Sequence, residues 1–453
     1  MAKLDRLVVC GFLGTLVCSG GTLGCYTGTL STSGDMALLV YQNRISVEAE
    51  TSQRLAVDKE EFVLGIEQAI KLASEADATL KVRRAFLSRA KAGVSAVGQY
   101  RNPEVRYSQE KLEDFMGDET RMDVEFRVRP PRPGELGARE EIAKSKKRTA
   151  EARLRMAKEQ VAYKIRGLFR EIGFVDAEVE ATRKSIQIRT RLVGLTKTRV
   201  KEGLATKMDL ALVEVAFFEA LQDDAELQTE REFLIKDLLR RIGLLDGTKI
   251  VLDNKSVMET TFISLPSEEE LIRRALNSRE ELEVSASRIK EADARVYIEK
   301  LQAFPWFSLL KVGYEIEPGK KNNRAVTGGL ALDIPLFSLN SGEIEAAEAE
   351  KSLRSAQFGE TVGDIVRSVR EQYRRVNAAA QAAQALEKGA KFAVSEGAAA
   401  AKSAMEAGQV DIRGFMLIEE RRASVHRKWL RALRRYSQEF TKLMGAVGGD
   451  LHS

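Results

Sequence analysis

Apolar residues along this chain change their spacing in a fixed order, and the order occurs twice. Over residues 60–99, Phe62, Ile66, Ala69, Ile70 and Ala73 recur at three- and four-residue steps, which predicts a helix. Asn102-Pro103 ends it, because proline disfavours helix in the residue before it. Strict alternation follows: Val105 and Tyr107 against Glu104, Arg106 and Ser108. A charged loop is expected at 111–121. Alternation then resumes with Met122, Val124, Phe126 and Val128 against Asp123, Glu125, Arg127 and Arg129.

The second copy repeats this. Residues 272–302 predict a helix that Phe304-Pro305 ends. Trp306, Ser308, Leu310, Val312, Tyr314 and Ile316 then share one face, opposite Lys311, Glu315 and Glu317. After a turn-rich loop at 318–324, Val326, Leu330, Leu332 and Ile334 alternate with Thr327, Ala331 and Asp333, and Asn340 or Ser341 can cap the next helix. The alternation predicts Val124, Phe126, Tyr314, Leu330 and Leu332 on an apolar outer face. Asp123, Arg127, Arg129, Lys311 and Asp333 fall on the other face.

A long helix follows each strand pair, over 135–202 and 342–407. In the first, Ile165, Ile172, Val179, Ile186 and Val193 recur every seven residues, with Val161, Leu168 and Val175 between. In the second, Val362, Val369, Val376, Ala383 and Ala390 do the same. Such a seam predicts packing on a partner helix. Each helix would reach roughly 100 Å at 1.5 Å per residue. Each runs into a Gly-led turn, Gly203-Leu204-Ala205-Thr206 and Gly408-Gln409-Val410-Asp411, aligned without a gap at a shift of 205. A further helix follows each turn and is expected to end near Gly243 and Gly445. Residues 26–58 are weakly patterned and read as an extended leader. Residues 244–267 read as a connector with short strands. Repetition at this period means one folding unit copied.

Composition supports long solvated helices. Charged residues reach 31%, aromatics only 6%, and 72 basic residues are interleaved with 67 acidic ones. No basic stripe with aromatics marks a nucleic-acid groove. Catalysis is poorly supported: there are two histidines, no paired His/Cys metal spacing and no phosphate-cradling Gly loop. No cofactor is implied. His426 in its basic helix reads as a surface residue, and Glu178 with Arg183 and Lys184 as surface pairing. At the N-terminus, Lys3 and Arg6 precede an apolar run over 7–17, too short to span a bilayer. Thr22-Leu23-Gly24-Cys25 resembles a bacterial lipobox, with Thr22 departing from the usual Leu. It implies cleavage before Cys25 and lipidation of that thiol. All three cysteines fall within the first 25 residues, so intramolecular disulfides are not expected in the mature chain.

The order helix, strand, strand, long helix, Gly turn, helix, taken twice, resembles the outer-membrane efflux protein family of TolC-like channels. Asn102-Pro103-Glu104-Val105 and Ile334-Pro335-Leu336-Phe337 followed by Gly342 are similar to family phrases beside the strands. Arg199-Val200-Lys201-Glu202-Gly203 with Asp209-Leu210 is similar to its periplasmic tip. The resemblance implies a mainly α fold with a small β part. It implies a homotrimer in which four strands per protomer complete a twelve-stranded outer-membrane barrel above a helical periplasmic tunnel. Physics agrees, since four strands cannot close a barrel and open edges are not tolerated in lipid.

The expected boundaries are a signal peptide at 1–24, a lipidated leader at 25–58 and a first repeat at 59–243 with strands about 103–109 and 121–129. The connector at 244–267, a second repeat at 268–445 with strands about 304–316 and 325–336, and a tail at 446–453 complete the chain. The resemblance carries adaptor-contacting roles onto Gly203, Leu204, Ala205, Thr206, Gly408, Gln409, Val410 and Asp411. Its implied partners are a periplasmic adaptor, an inner-membrane pump and outer-membrane lipid. Some relatives close the tunnel with carboxylates six and nine places after the second tip glycine. Gly414 and Leu417 stand there, leaving Asp411 as the nearest carboxylate. The competing reading is a coiled-coil scaffold without channel activity. The four alternating segments disfavour it, because a scaffold has no use for strand pairs with apolar outer faces.

Overall fold

A computed structural model describes residues 33–56, 62–114, 117–253, 262, 264–317, 323–394 and 411–449, with short pieces between 397 and 404. The elements follow the repeat. The first copy holds β1 (Phe62–Leu64), α2 (Ile66–Ala76), α3 (Ala78–Val97), β2 (Glu104–Asp114), β3 (Gly117–Val128), α4 (Glu135–Lys201) and α5 (Lys207–Ile242). The second holds β4 (Ile250–Leu252), α6 (Glu268–Ser278), α7 (Glu280–Gln302), β5 (Trp306–Glu317), β6 (Asn323–Asp333), α8 (Ser341–Val394) and α9 (Ile412–Val447). They are preceded by α1 (Ser33–Ala56), a helix where the leader was expected to be extended. No Gly or Pro interrupts residues 35–56, and Arg44 pairs with Glu48 one turn on at 2.7 Å. Ser52 Oγ accepts from the Leu245 N–H at 3.0 Å, tying α1 to the end of the first copy.

The helix expected over 60–99 is divided: β1 precedes it, and Asp77 is extended (φ −60°, ψ 122°) between α2 and α3, its carboxylate capping the Leu80 N–H at 3.0 Å. Arg279 makes the same break between α6 and α7 (φ −72°, ψ 119°). The apolar stripe runs on through each break, with Ala69, Ala73 and Leu80 all buried, so periodicity alone could not reveal it.

Two equivalent cores sit at these breaks. One gathers Leu64, Ala69, Ala73, Ile165, Phe169, Ile172, Leu238, Leu239, Ile242 and Leu244. The other gathers Leu271, Ala275, Val369, Val376, Tyr436, Phe440, Leu443, Met444 and Val447 with their neighbours. β1 and β4 pair in parallel beside the first core, joining the copies. The second helix of each copy ends beside its break. Gly243 (φ 74°) caps α5 against Ala76, and Gly448 (φ 78°) caps α9 against Ser278 and Arg279. The second end is therefore Gly448, which keeps the shift of 205, and not Gly445, which lies inside α9. Arg279 donates to the carbonyls of Gly445 (2.6 Å) and Ala446 (3.1 Å), satisfying acceptors at the C-terminal end of α9 that lack a partner within the helix.

The seams are largely as expected. Val369, Val376, Ala383 and Ala390 are buried, with Val362 half-buried. In α4, Ile165, Ile172, Val175 and Val179 are buried. Nearer the turn the buried positions become Thr182, Leu192 and Thr196, while Ile186 and Val193 are only half-buried.

The four long strands form one antiparallel sheet in the order β2-β3-β5-β6. β3 and β5 join the two hairpins, pairing Met122–Val128 with Leu310–Ile316. The segment expected as a charged loop at 111–121 instead continues the ladder, Lys111 opposite Thr120 and Glu113 opposite Asp118. Strands of 11 and 12 residues result. The expected side-chain alternation is kept over most of the sheet. Val105 lies opposite Phe126, Tyr107 opposite Val124, Val124 opposite Tyr314, and Leu310 opposite Leu330. All six of Val105, Tyr107, Val124, Phe126, Tyr314 and Leu330 are exposed in the single chain.

On the other face Glu125 is buried, with Lys311 Nζ at 2.5 Å and Arg127 Nε at 2.7 Å, while Arg121 pairs with Glu315. A bulge between Phe307 and Leu309 shifts the phase at the start of β5. Phe307 thus joins Leu332 on the apolar face. Trp306, expected on that face, stands opposite Asp333 and donates its indole N–H to the Pro130 carbonyl at 2.9 Å.

Candidate functional site

The turn between α4 and α5 is fixed at both ends. Gly203 takes a left-handed conformation (φ 76°) that side chains resist. Its N–H reaches the Val200 carbonyl (3.2 Å), and the Leu204 N–H reaches back to Arg199 (2.8 Å), closing α4 as a Schellman motif. Thr206 begins α5 with a reciprocal cap. Its hydroxyl accepts from the Asp209 N–H (3.1 Å), and its own N–H donates to the Asp209 carboxylate (2.9 Å). Ala205 packs on a small core of Leu192, Val213 and Phe415. Leu204, 73% exposed, points away from it. Met208, Leu212 and Val215 continue the exposed apolar stripe along α5.

At the second turn, Gly408, Gln409 and Val410 lie outside the described residues, as does Cys25 at the N-terminus. Asp411 begins α9, and its carboxylate accepts from the Gly414 N–H at 2.8 Å. That carboxylate is engaged as a helix cap. Sequence reasoning overlooked Arg413, whose Nε donates to Asp209 at 2.6 Å and ties the two turns together. The Thr206 hydroxyl and N–H, and then Arg413, push the Asp209 carboxyl down to about 2. The spacing Thr206-x-x-Asp209 was the available signal for the cap; the Arg413 partner, 204 residues away, had none.

The same separation recurs. Arg427 pairs with Asp223 at 3.1 Å and Arg434 with Glu230 at 2.6 Å, each again 204 residues apart. α5 and α9 therefore run in parallel, in constant register, with three acid–arginine rungs at multiples of seven residues.

Mid-helix, two expectations are overturned. Glu178 is not a surface carboxylate but is 4% exposed, and one carboxylate oxygen has no hydrogen-bond partner among the described residues. His426 is half-buried beside Trp429, with ring centres 5.8 Å apart and Nδ1 unpartnered among the described residues. α4 and α9 both present these groups to their shared seam, which charge pattern alone does not show. Burial pushes Glu178 above the usual carboxyl value of 4.5, and the Arg434 and Arg431 charges only partly oppose it. The folded chain therefore holds this proton more tightly than the unfolded chain, so stability falls as pH rises from 4.5 through the raised value. Glu178→Gln should raise the melting temperature at pH 8 and leave it unchanged near pH 4. Calorimetry at the two pH values reads this out, and an equal shift at both would rule out ionisation as the cause.

Among the described residues no helix is long and apolar enough to cross a membrane, and no group of His, Cys, Asp and Glu could hold a metal ion. A four-stranded sheet with one apolar and one charged face thus accompanies two long helical hairpins. Residues 271–449 match the family model described as outer membrane efflux protein. The fold over most of its length is that of solved channels.

CusC aligns with a TM-score of 0.71 at 12% identity, covering 85% of this chain and 92% of that one. The outer membrane protein VceC from Vibrio cholerae aligns at 0.63 and 19%, covering 85% and 96%. The outer membrane channel MtrE from Neisseria gonorrhoeae aligns at 0.69 and 13%, covering 85% and 89%. No curated protein sequence matches the chain.

Proposed function

We propose that three copies of this chain form the outer-membrane channel of a tripartite efflux or type I secretion system. Substrate passes passively from an inner-membrane pump and its adaptor through the tunnel and barrel. The observation that carries this reading is the four-stranded sheet: apolar on one face, ion-paired on the other, with β2 and β6 as unpaired edges. Such edges in lipid need further strands, and three copies supply an even-numbered closed barrel. The charged face then lines a water-filled passage, and Cys25 adds a lipid anchor to the same membrane. The turns meet the adaptor through Gly203, Leu204, Ala205 and Thr206 with Gly408, Gln409, Val410 and Asp411.

Purified from outer membranes in detergent, the protein should migrate as a heat-modifiable trimer and conduct ions in planar bilayers. Arg413→Ala, which removes the ion pair between the two hairpins at the tip, should raise the single-channel conductance. A water-soluble species with no conductance would sink the channel and favour the scaffold.

A further inference from the structure

We propose that the trough between α3, α4 and α7 binds a multiply charged phosphate group. The three helices enclose a cavity of about 680 Å³. It lies on the sheet side of the helical body, where α3 ends at Val97 shortly before β2 and α4 begins at Glu135 shortly after β3. Arg83 and Arg89 from α3, Arg139, Lys146 and Arg153 from α4, and Arg288 from α7 line it, against the single carboxylate of Glu291. The α4 cations recur every seven residues and so share one helix face. Their 14-residue span is about 21 Å at 1.5 Å per residue.

Counter-charge is short here. Arg139 pairs with Glu135, and Lys146 lies 3.8 Å from Glu291, a carboxylate that Arg295 also holds at 2.7 Å. Among the described residues Arg83, Arg89, Arg153 and Arg288 pair with no carboxylate. Burial, and then the Arg288 and Arg83 charges, pull the Arg153 guanidinium below its ordinary value. The neighbouring Arg155, on another face of α4, shows the contrast: Glu280 holds it at 2.5 Å, and Glu283 adds a second carboxylate. Arg148, Arg155, Arg166 and Arg183 on α4 likewise meet carboxylates within the chain, whereas this group faces itself across an open trough.

Like charges gathered in a partly dry cavity favour an anion that neutralises several at once. Guanidinium forks match phosphate oxygens in two-point hydrogen bonds. Phe86 and Ile142 in the same lining give an apolar surface beside the charges. An anionic phospholipid headgroup and a soluble polyphosphate share this chemistry.

The full-length protein in detergent is titrated with tripolyphosphate, and separately with nanodiscs of phosphatidylglycerol or of phosphatidylcholine. Binding of tripolyphosphate, of phosphatidylglycerol or of both is expected, weakened at least tenfold by the pair of changes Arg153→Gln and Arg288→Gln. Which probe binds distinguishes the soluble source from the headgroup. The unliganded double variant should melt no lower than the parent, because the removed charges repel each other. Arg89→Gln at the rim provides a second reading, a smaller loss of affinity, should the double variant fail to fold. Equal binding by parent and variants, equal binding of phosphatidylcholine, or no binding of either phosphate probe would overturn the proposal. Channel conductance is unaffected by any of these outcomes, so the site stands or falls apart from the transport role.

Discussion

Leu204→Glu should leave assembly intact and lower export by about 100-fold. Leu204 is 73% exposed, and Ala205 rather than Leu204 packs into the core beneath the turn. Exposed substitutions of this kind change stability by within about 0.5 kcal/mol. Docking of an adaptor on the apolar stripe of Leu204, Met208 and Leu212 would instead bury the new carboxylate without a partner. An uncompensated charge of that sort costs about 3 kcal/mol in an interface, close to a hundredfold in affinity. Trimer yield by gel and export by substrate accumulation separate the two effects. Unimpaired export would remove Leu204 from the docking surface.

Gly243→Ala should destabilise the fold by about 2–5 kcal/mol. The left-handed conformation costs a side chain roughly 1–2 kcal/mol, and overpacking adds about 1–3. Both apply at Gly243, where φ is 74° and an added Cβ would lie 2.6 Å from the Cβ of Ala76. The damage falls where α5 meets the α2–α3 break, so the first core loosens first. Gly247→Ala separates the contributions, since its φ is 95° but nothing lies within 4 Å of an added Cβ. It should cost only the strain. Gly98→Ala, with φ −72° and open space, should be neutral. Denaturant midpoints in that order support the account; equal midpoints for Gly243→Ala and Gly247→Ala would show that the contact with Ala76 does not matter.

The sequence showed the repeat, the strand faces and the long helices because each of these is written in spacing. Val124, Tyr314 and Leu330 could be placed on one face from alternation alone. Trp306 could not, because a single bulged residue reverses phase without leaving a mark in hydrophobicity. Asp77 and Arg279 were hidden for a related reason: the stripe is continuous although the helix is not. The ends of strands β2 and β3 were missed because residues beyond the apolar band are polar on both faces, so alternation ceases while the ladder continues.

At the turns, Gly203 and Thr206 were legible from local capping chemistry. Arg413 was not, since its partner lies in the other copy. Glu178 and His426 were misplaced because a polar side chain on a seam looks, in one dimension, like a solvated one.

The constant separation of 204 between Asp209 and Arg413, Asp223 and Arg427, and Glu230 and Arg434 acts as a ruler. Lengthening one hairpin alone would slide every rung past its mate. Adding seven residues to each of α4, α5, α8 and α9 would restore all three while extending the molecule by about 10 Å. Descendants of this fold can thus grow or shrink to suit a different envelope only by paired, heptad-sized steps in both halves.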